Sequence, residues 1–206
     1  MRFTRRLLTL IQFAAALGTA LNPPPAFAYD HPLSDEAVRE AYFVGQDVKN
    51  VNTFLSDYTK SLPVPGSGPH VAQIELSTPY AQVVEASAQH SVGYSDMRAA
   101  EDYQKRGDCI MVRVKVLFTP SYSNGGEDFW RGVSVGLIQN GKHMAATGVS
   151  GQPIYAVGDY GGSWPIGADL YVKFSVAGVK SDSLAVEVIP PGGSAIRAEF
   201  DLNSLR

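Results

Sequence analysis

The chain has 206 residues, 17 of them basic and 20 acidic, and a single cysteine, Cys109. That length suits one domain or a compact domain with an appendage. The slightly acidic balance disfavours nucleic acid and anionic membrane surfaces as partners, and a lone cysteine excludes an intramolecular disulfide.

Residues 1–28 read as an export signal. Arg2, Arg5 and Arg6 form a basic start, an apolar run follows over 7–21, and Ala26-Phe27-Ala28 gives the small-x-small cleavage pattern. The run is shorter than the roughly 20 residues a spanning helix needs, and Asn22-Pro23-Pro24-Pro25 ends any helix there. Thr4-Arg5-Arg6-Leu7-Leu8 also fits a twin-arginine signal, so the export route stays open. No cysteine lies near the cleavage site to carry a lipid. Cleavage after Ala28 removes three arginines and no acid, leaving 14 basic against 20 acidic residues, a net charge of about −6. The expected address is periplasmic or secreted.

Helical periodicity dominates up to residue 107. Ser34 is a good N-cap for a helix over 35–44, with Asp35 and Glu36 in its first turn and Gly45 at its end. Val48, Val51, Phe54, Leu55, Tyr58 and Leu62 recur at spacings of three and four and predict a second helix that Pro63 stops. Residues 29–62 therefore read as a helical pair. Residues 63–70 form a proline and glycine linker, and 71–76 a short strand. Thr78 caps a helix with Pro79 in its first position. Ser95 opens another that ends at Gly107, with Met97, Ala100 and Tyr103 on one side. These elements of 63–107 are expected to pack on the following domain.

From residue 108 alternation takes over. Ile110, Val112, Val114, Val116 and Phe118 alternate with Met111, Arg113, Lys115 and Leu117, so one strand face is buried. Cys109, just before this run, reads as a buried thiol. A turn-rich loop over 120–128 leads to strands over 129–138 and 142–149, joined at Asn140-Gly141, a type I′ hairpin signal. Further strands fall at 154–157, 168–176, 184–189 and 195–201. A glycine-rich loop over 158–165 precedes the third-last, and Pro190-Pro191-Gly192-Gly193 joins the last two. Seven short strands separated by turns predict an antiparallel, immunoglobulin-like β-sandwich over 108–206, with a helical appendage on its N-terminal side. A partly open barrel is the alternative.

Arg39-Glu40-Ala41-Tyr42-Phe43, the run Gly68-Pro69-His70-Val71-Ala72 with Thr78-Pro79-Tyr80, and the closing Ala198-Glu199-Phe200-Asp201-Leu202 resemble a group of secreted bacterial proteins of no established activity. The resemblance would span most of the exported chain and assigns no site residue.

Motifs for chemistry are weak. Gly132-Val133-Ser134-Val135-Gly136 matches the G-x-S-x-G pattern, but Ser134 falls within a strand, whereas the hydrolase serine needs a sharp strand-to-helix turn. His31, His70, His90 and His143 lack metal-ligand spacing, and no cysteine partners them. His70 or His90 with Glu75 or Asp96 would be the acid–base set of a hydrolase, the alternative of a different class. Glu127, Asp128 and Asp159 sit in loops without the ligand spacing of a calcium site. No phosphate-cradling glycine motif occurs. No catalytic residue, metal or cofactor is therefore assigned.

Aromatic residues of two loops favour binding, namely Tyr122 and Trp130 beside Phe129, and Tyr160 and Trp164 beside Tyr155, although a sandwich commonly buries its tryptophans and core or loop packing of these rings is the competing reading. The expected function is that of an exported, non-catalytic β-sandwich that binds a protein or polysaccharide of the cell envelope through these rings. A structural subunit that docks through its helices is the remaining alternative.

Overall fold

The computed structural model describes residues 29, 31–90, 93–120, 122, 126, 128–158 and 161–206. The export signal over 1–28 lies outside the described residues. The chain is mainly antiparallel β with some helices, consistent with a β-sandwich.

One sheet contains β1 (Thr59–Ser61), β2 (Pro69–Ser77), β3 (Cys109–Phe118), β6 (Ala146–Val157) and β7 (Ser163–Ser175), in the order β1-β2-β3-β7-β6. The other contains β4 (Ser134–Gln139), β5 (Lys142–Met144), β8 (Ser183–Ile189) and β9 (Ile196–Asp201), in the order β5-β4-β8-β9. Alternation explains the pairing of their faces. Val112, Val114 and Val116 of β3 and Leu170, Val172 and Phe174 of β7 bury one side of the first sheet. They join Leu137 of β4, Val186 and Val188 of β8 and Phe200 of β9 in one apolar core. Each such fully buried side chain contributes about 1.5–3 kcal/mol of transfer free energy. Tyr29 is tied to this body through its N–H, which donates to the Leu202 carbonyl at 3.2 Å.

Among the described residues, four helices make a second, smaller core. They are α1 (Asp35–Gln46), α2 (Val51–Ser56), α3 (Pro79–Gln89) and α4 (Asp96–Arg106). Ser34, Thr78 and Ser95 each cap a helix, accepting from the N–H of Ala37, Ala81 and Arg98. Val38 and Ala41 of α1, Val51 of α2, Tyr80, Val83 and Val84 of α3, and Ala99 and Tyr103 of α4 pack together. Arg206 ties the two cores: its guanidinium reaches Glu40 of α1 and the Tyr80 hydroxyl of α3, and its carbonyl accepts from Thr78 and from Tyr58.

Several elements differ from the sequence reading. Gly45 does not end α1; a Cβ there would sit 2.4 Å from the Val84 carbonyl oxygen, so the glycine lets α1 and α3 approach closely. The second helix stops at Ser56, because the following residues bond to β2 instead: Leu76 N–H donates to the Tyr58 carbonyl and Leu62 N–H to that of Ala72. Met97 faces solvent, and Ala99 shares the buried side of α4 with Tyr103. Phe129–Gly132 is a 3₁₀ turn rather than the start of β4. The strand expected over 142–149 is divided, β5 joining one sheet and β6 the other. Asn140 and Gly141 do take positive φ, 51° and 73°, as a type I′ turn requires.

Cys109 is the one cysteine of the chain, buried and without a disulfide. Among the described residues, no helix is long and apolar enough to cross a membrane.

Candidate functional site

The flank of the five-stranded sheet formed by β6 and β7 exposes more large apolar side chains than any packing need explains. β6 is 12 residues long and contains no charged residue. In the hairpin that joins it to β7, Trp164 is 52% exposed, Val157 76% and Tyr155 41%. Register fixes their sides: Tyr155 pairs with Pro165 and Val157 with Ser163 on one face, while Ala156 pairs with Trp164 on the other. The hairpin is therefore apolar on both faces. Its turn is closed by Gly158 N–H, which donates to the Gly162 carbonyl at 2.8 Å. Gly158 also gives room to Trp164, since a Cβ there would meet the indole at 3.0 Å.

The four aromatic residues expected to bind are not brought together. Tyr160 lies outside the described residues. Tyr122 packs on Phe118 at 5.3 Å between ring centres, and Phe118 on Phe129 at 4.4 Å. Trp130, in the 3₁₀ turn, lies against Gly151 of β6, where a Cβ would come within 2.2 Å of the indole. Gly151 pairs with the buried Leu170, so Trp130 covers the core-facing side of β6 and packs on the main core. Arg131 lies over the same indole at 4.9 Å. From Gly151 to Gly158 the strand advances about 20 Å. Trp130 and Trp164 thus stand too far apart for one stacking platform, and Trp164 is the better exposed.

A second place with unusual electrostatics lies where α2 and α3 meet the outer face of the same sheet. A cavity of about 370 Å³ is lined by Glu75 and Ser77 of β2, Met111 and Arg113 of β3, Tyr171 of β7, Glu85 and Gln89 of α3, and Leu55 and Thr59. Ser77 donates its hydroxyl to Glu85 Oε1 at 2.6 Å. Burial, helped by the neighbouring Glu75 carboxylate, pushes the Glu85 carboxyl up to about 7 against the opposing hydrogen bond from Ser77. Arg113 pairs with Asp169 at 2.9 Å and reaches Glu75 at 4.0 Å. No motif spacing in the sequence marks this cluster. Its signal was Glu85, an acid beside Val84 in an otherwise apolar turn of α3, together with Arg113 on the polar face of β3.

The histidines do not assemble with it. His70 is buried in β2 opposite Leu117, and neither ring nitrogen has a partner among the described residues. His90 follows α3, stacks on Tyr94 at 4.6 Å and places Nδ1 2.7 Å from the Ala86 carbonyl. Of the carboxylates considered with them, Glu75 faces Arg113 and Asp96 pairs with Arg39 at 3.3 Å. Ser134 opens β4 opposite Ile189, with no helix following it. Asp128 pairs with Arg131 at 2.9 Å, while Glu127 and Asp159 lie outside the described residues. Among the described residues no three histidine, cysteine, aspartate or glutamate side chains converge as metal ligands.

No family model matches the chain, and no curated protein matches its sequence. The resemblance to secreted bacterial proteins gains no support from these comparisons, and the functional reading rests on geometry.

Proposed function

We propose that this is an exported, non-catalytic protein whose immunoglobulin-like sandwich, with a helical appendage on its N-terminal side, binds a protein of the cell envelope through the β6–β7 hairpin. The strand orders support the fold reading. Taking β2, β3, β4, β5, β6, β7, β8 and β9 as A, B, C, C′, D, E, F and G, the sheets run A-B-E-D, with β1 added outside A, and C′-C-F-G. The helices α3 and α4 then occupy the A–B connection.

The observation that carries the binding reading is the exposure of Trp164, Val157 and Tyr155 on one hairpin whose first strand contains no charged residue. A protein partner fits this surface better than a polysaccharide. Sugar recognition couples a stacking ring to several polar side chains, whereas here aliphatic and aromatic groups cover both faces of the pairing, with the Ser163 and Tyr155 hydroxyls beside them. An exposed tryptophan flanked by apolar groups is the composition of an interface anchor.

The test is capture of envelope components by purified protein and by the double variant Trp164→Ala, Val157→Ser, with folding checked by circular dichroism. Binding to envelope protein that falls at least about tenfold in the folded variant supports the proposal. Unchanged capture of every protein and polysaccharide fraction would sink it.

A further inference from the structure

The first half of β6 carries a second interaction surface that the hairpin reading does not use. Among the described residues the two sheets have four edges, and three are short or charged. β1 has 3 residues including Lys60, β5 has 3 including Lys142, and β9 has 6 including Arg197, Glu199 and Asp201. These are the usual guards against edge-to-edge pairing. β6 has 12 residues and no charge, and its first five are all exposed.

One residue sets the limit of what this edge can pair with. Pro153 has no N–H to donate, so within the sheet its nitrogen must face away from β7. No register shift intervenes between Gly148 and Ile154. By the two-residue period, Gly151 and Val149 then also turn their N–H and C=O outward, and theirs are intact. Regular pairing is thus open over 148–152, a register shift falling between Ala146 and Gly148, and is closed at Pro153. That stretch is five residues, about the length of an ordinary strand, and Val149 lies within it, 58% exposed.

We infer that a second copy of this chain occupies the edge, β6 pairing antiparallel with its own counterpart about a two-fold axis through Val149. Charge selects this occupant over a foreign strand. A two-fold places the middle residue against itself and every other residue against one from the same short segment, so any charged group would meet like charge nearby. A segment free of charge is what self-pairing requires, whereas an edge that receives a peptide of fixed charge gains from complementary charges. The opposed outward groups of Val149 exchange two backbone hydrogen bonds in this arrangement. The pairing joins two five-stranded sheets into one and consumes both β6 edges, so assembly stops at the dimer. Pro153 leaves each hairpin free beyond the joint.

Sedimentation of the full chain, exported and purified as the cell processes it, tests the inference. The expected result is a reversible dimer whose dissociation constant rises about 100-fold or more in Val149→Lys, which sets two like charges against each other. Val149 is exposed in the single chain, so the variant keeps its circular dichroism spectrum. A second measurement is Val149→Cys: with Cys109 buried, the new thiol alone links two copies under oxidising conditions, and Val157→Cys does not. A wild-type protein that stays monomeric at about 100 μM overturns the inference and leaves the edge to a strand from another protein. So does a dimer that Val149→Lys leaves unchanged and Val149→Cys fails to link.

Discussion

At one edge of the five-stranded sheet, β1 is three residues long and carries Lys60, and the neighbouring outer face lies under α2 and α3; at the other, β6 runs twelve residues without a charge. On the covered side polar groups pair with one another: Ser77 with Glu85, Arg113 with Asp169, Arg206 with Glu40 and Tyr80. On the bare side Trp164 and Val157 meet solvent. The comparison implies that substitutions on the covered side act on folding, and substitutions on the bare side act on association.

The sharpest break of that contrast is at the helix joint. Gly45→Ala puts a Cβ against the Val84 carbonyl, a backbone atom that cannot rotate away, and costs about 3 kcal/mol in urea unfolding. Trp130→Ala comes next. It strips the cover from Gly151 and costs about 2 kcal/mol, less than for a fully buried tryptophan because the ring is partly exposed. A Trp130→Ala variant of wild-type stability would show that the indole is a free platform, contrary to its place on β6.

The cavity under α3 gives a pH-dependent prediction of smaller size. The Glu85 carboxyl is raised in the folded state, so the folded chain holds its proton more tightly than the unfolded chain. Its favourable contribution is complete below about 4.5 and is lost as the pH rises through about 7, where a buried carboxylate faces Glu75. Glu85→Gln keeps an acceptor for Ser77 and removes that ionisation. The variant should gain on the order of 1 kcal/mol over wild type at pH 8 relative to pH 5. Equal differences at the two pH values would place the Glu85 titration elsewhere. Smallest of all is the effect of Trp164→Ala on folding, within about 0.5 kcal/mol, because half of the ring already meets water.

Local signals were the most legible in the sequence. Ser34, Thr78 and Ser95 act as caps because each hydroxyl lies within reach of a nearby N–H, and Asn140-Gly141 turns because both residues accept positive φ. The β3 alternation marked its buried face for the same reason. Non-local pairing was not legible: residues 57–62 keep helical spacing yet bond to β2, and the chain changes sheet at Ala145 without a breaker. The candidate site was read in part. Trp164 and Tyr155 stood out as loop aromatics, but Trp130 resembles them in sequence and differs only through Gly151, a residue of another element. Glu85 and Arg113 are remote in sequence, and only α3 folding over the sheet joins them in one cavity.

The central claim, that the β6–β7 hairpin is where this protein meets its partner, is tested most directly by photo-crosslinking in intact cells. A photoreactive residue at position 157, exposed and away from the core, should give a discrete adduct with an envelope protein, and Trp164→Ala in the same chain should abolish it. The same probe at position 48, exposed near the end of α1, should give none. Equal adduct patterns from the two positions, or an adduct at 157 that persists in Trp164→Ala, would contradict the account.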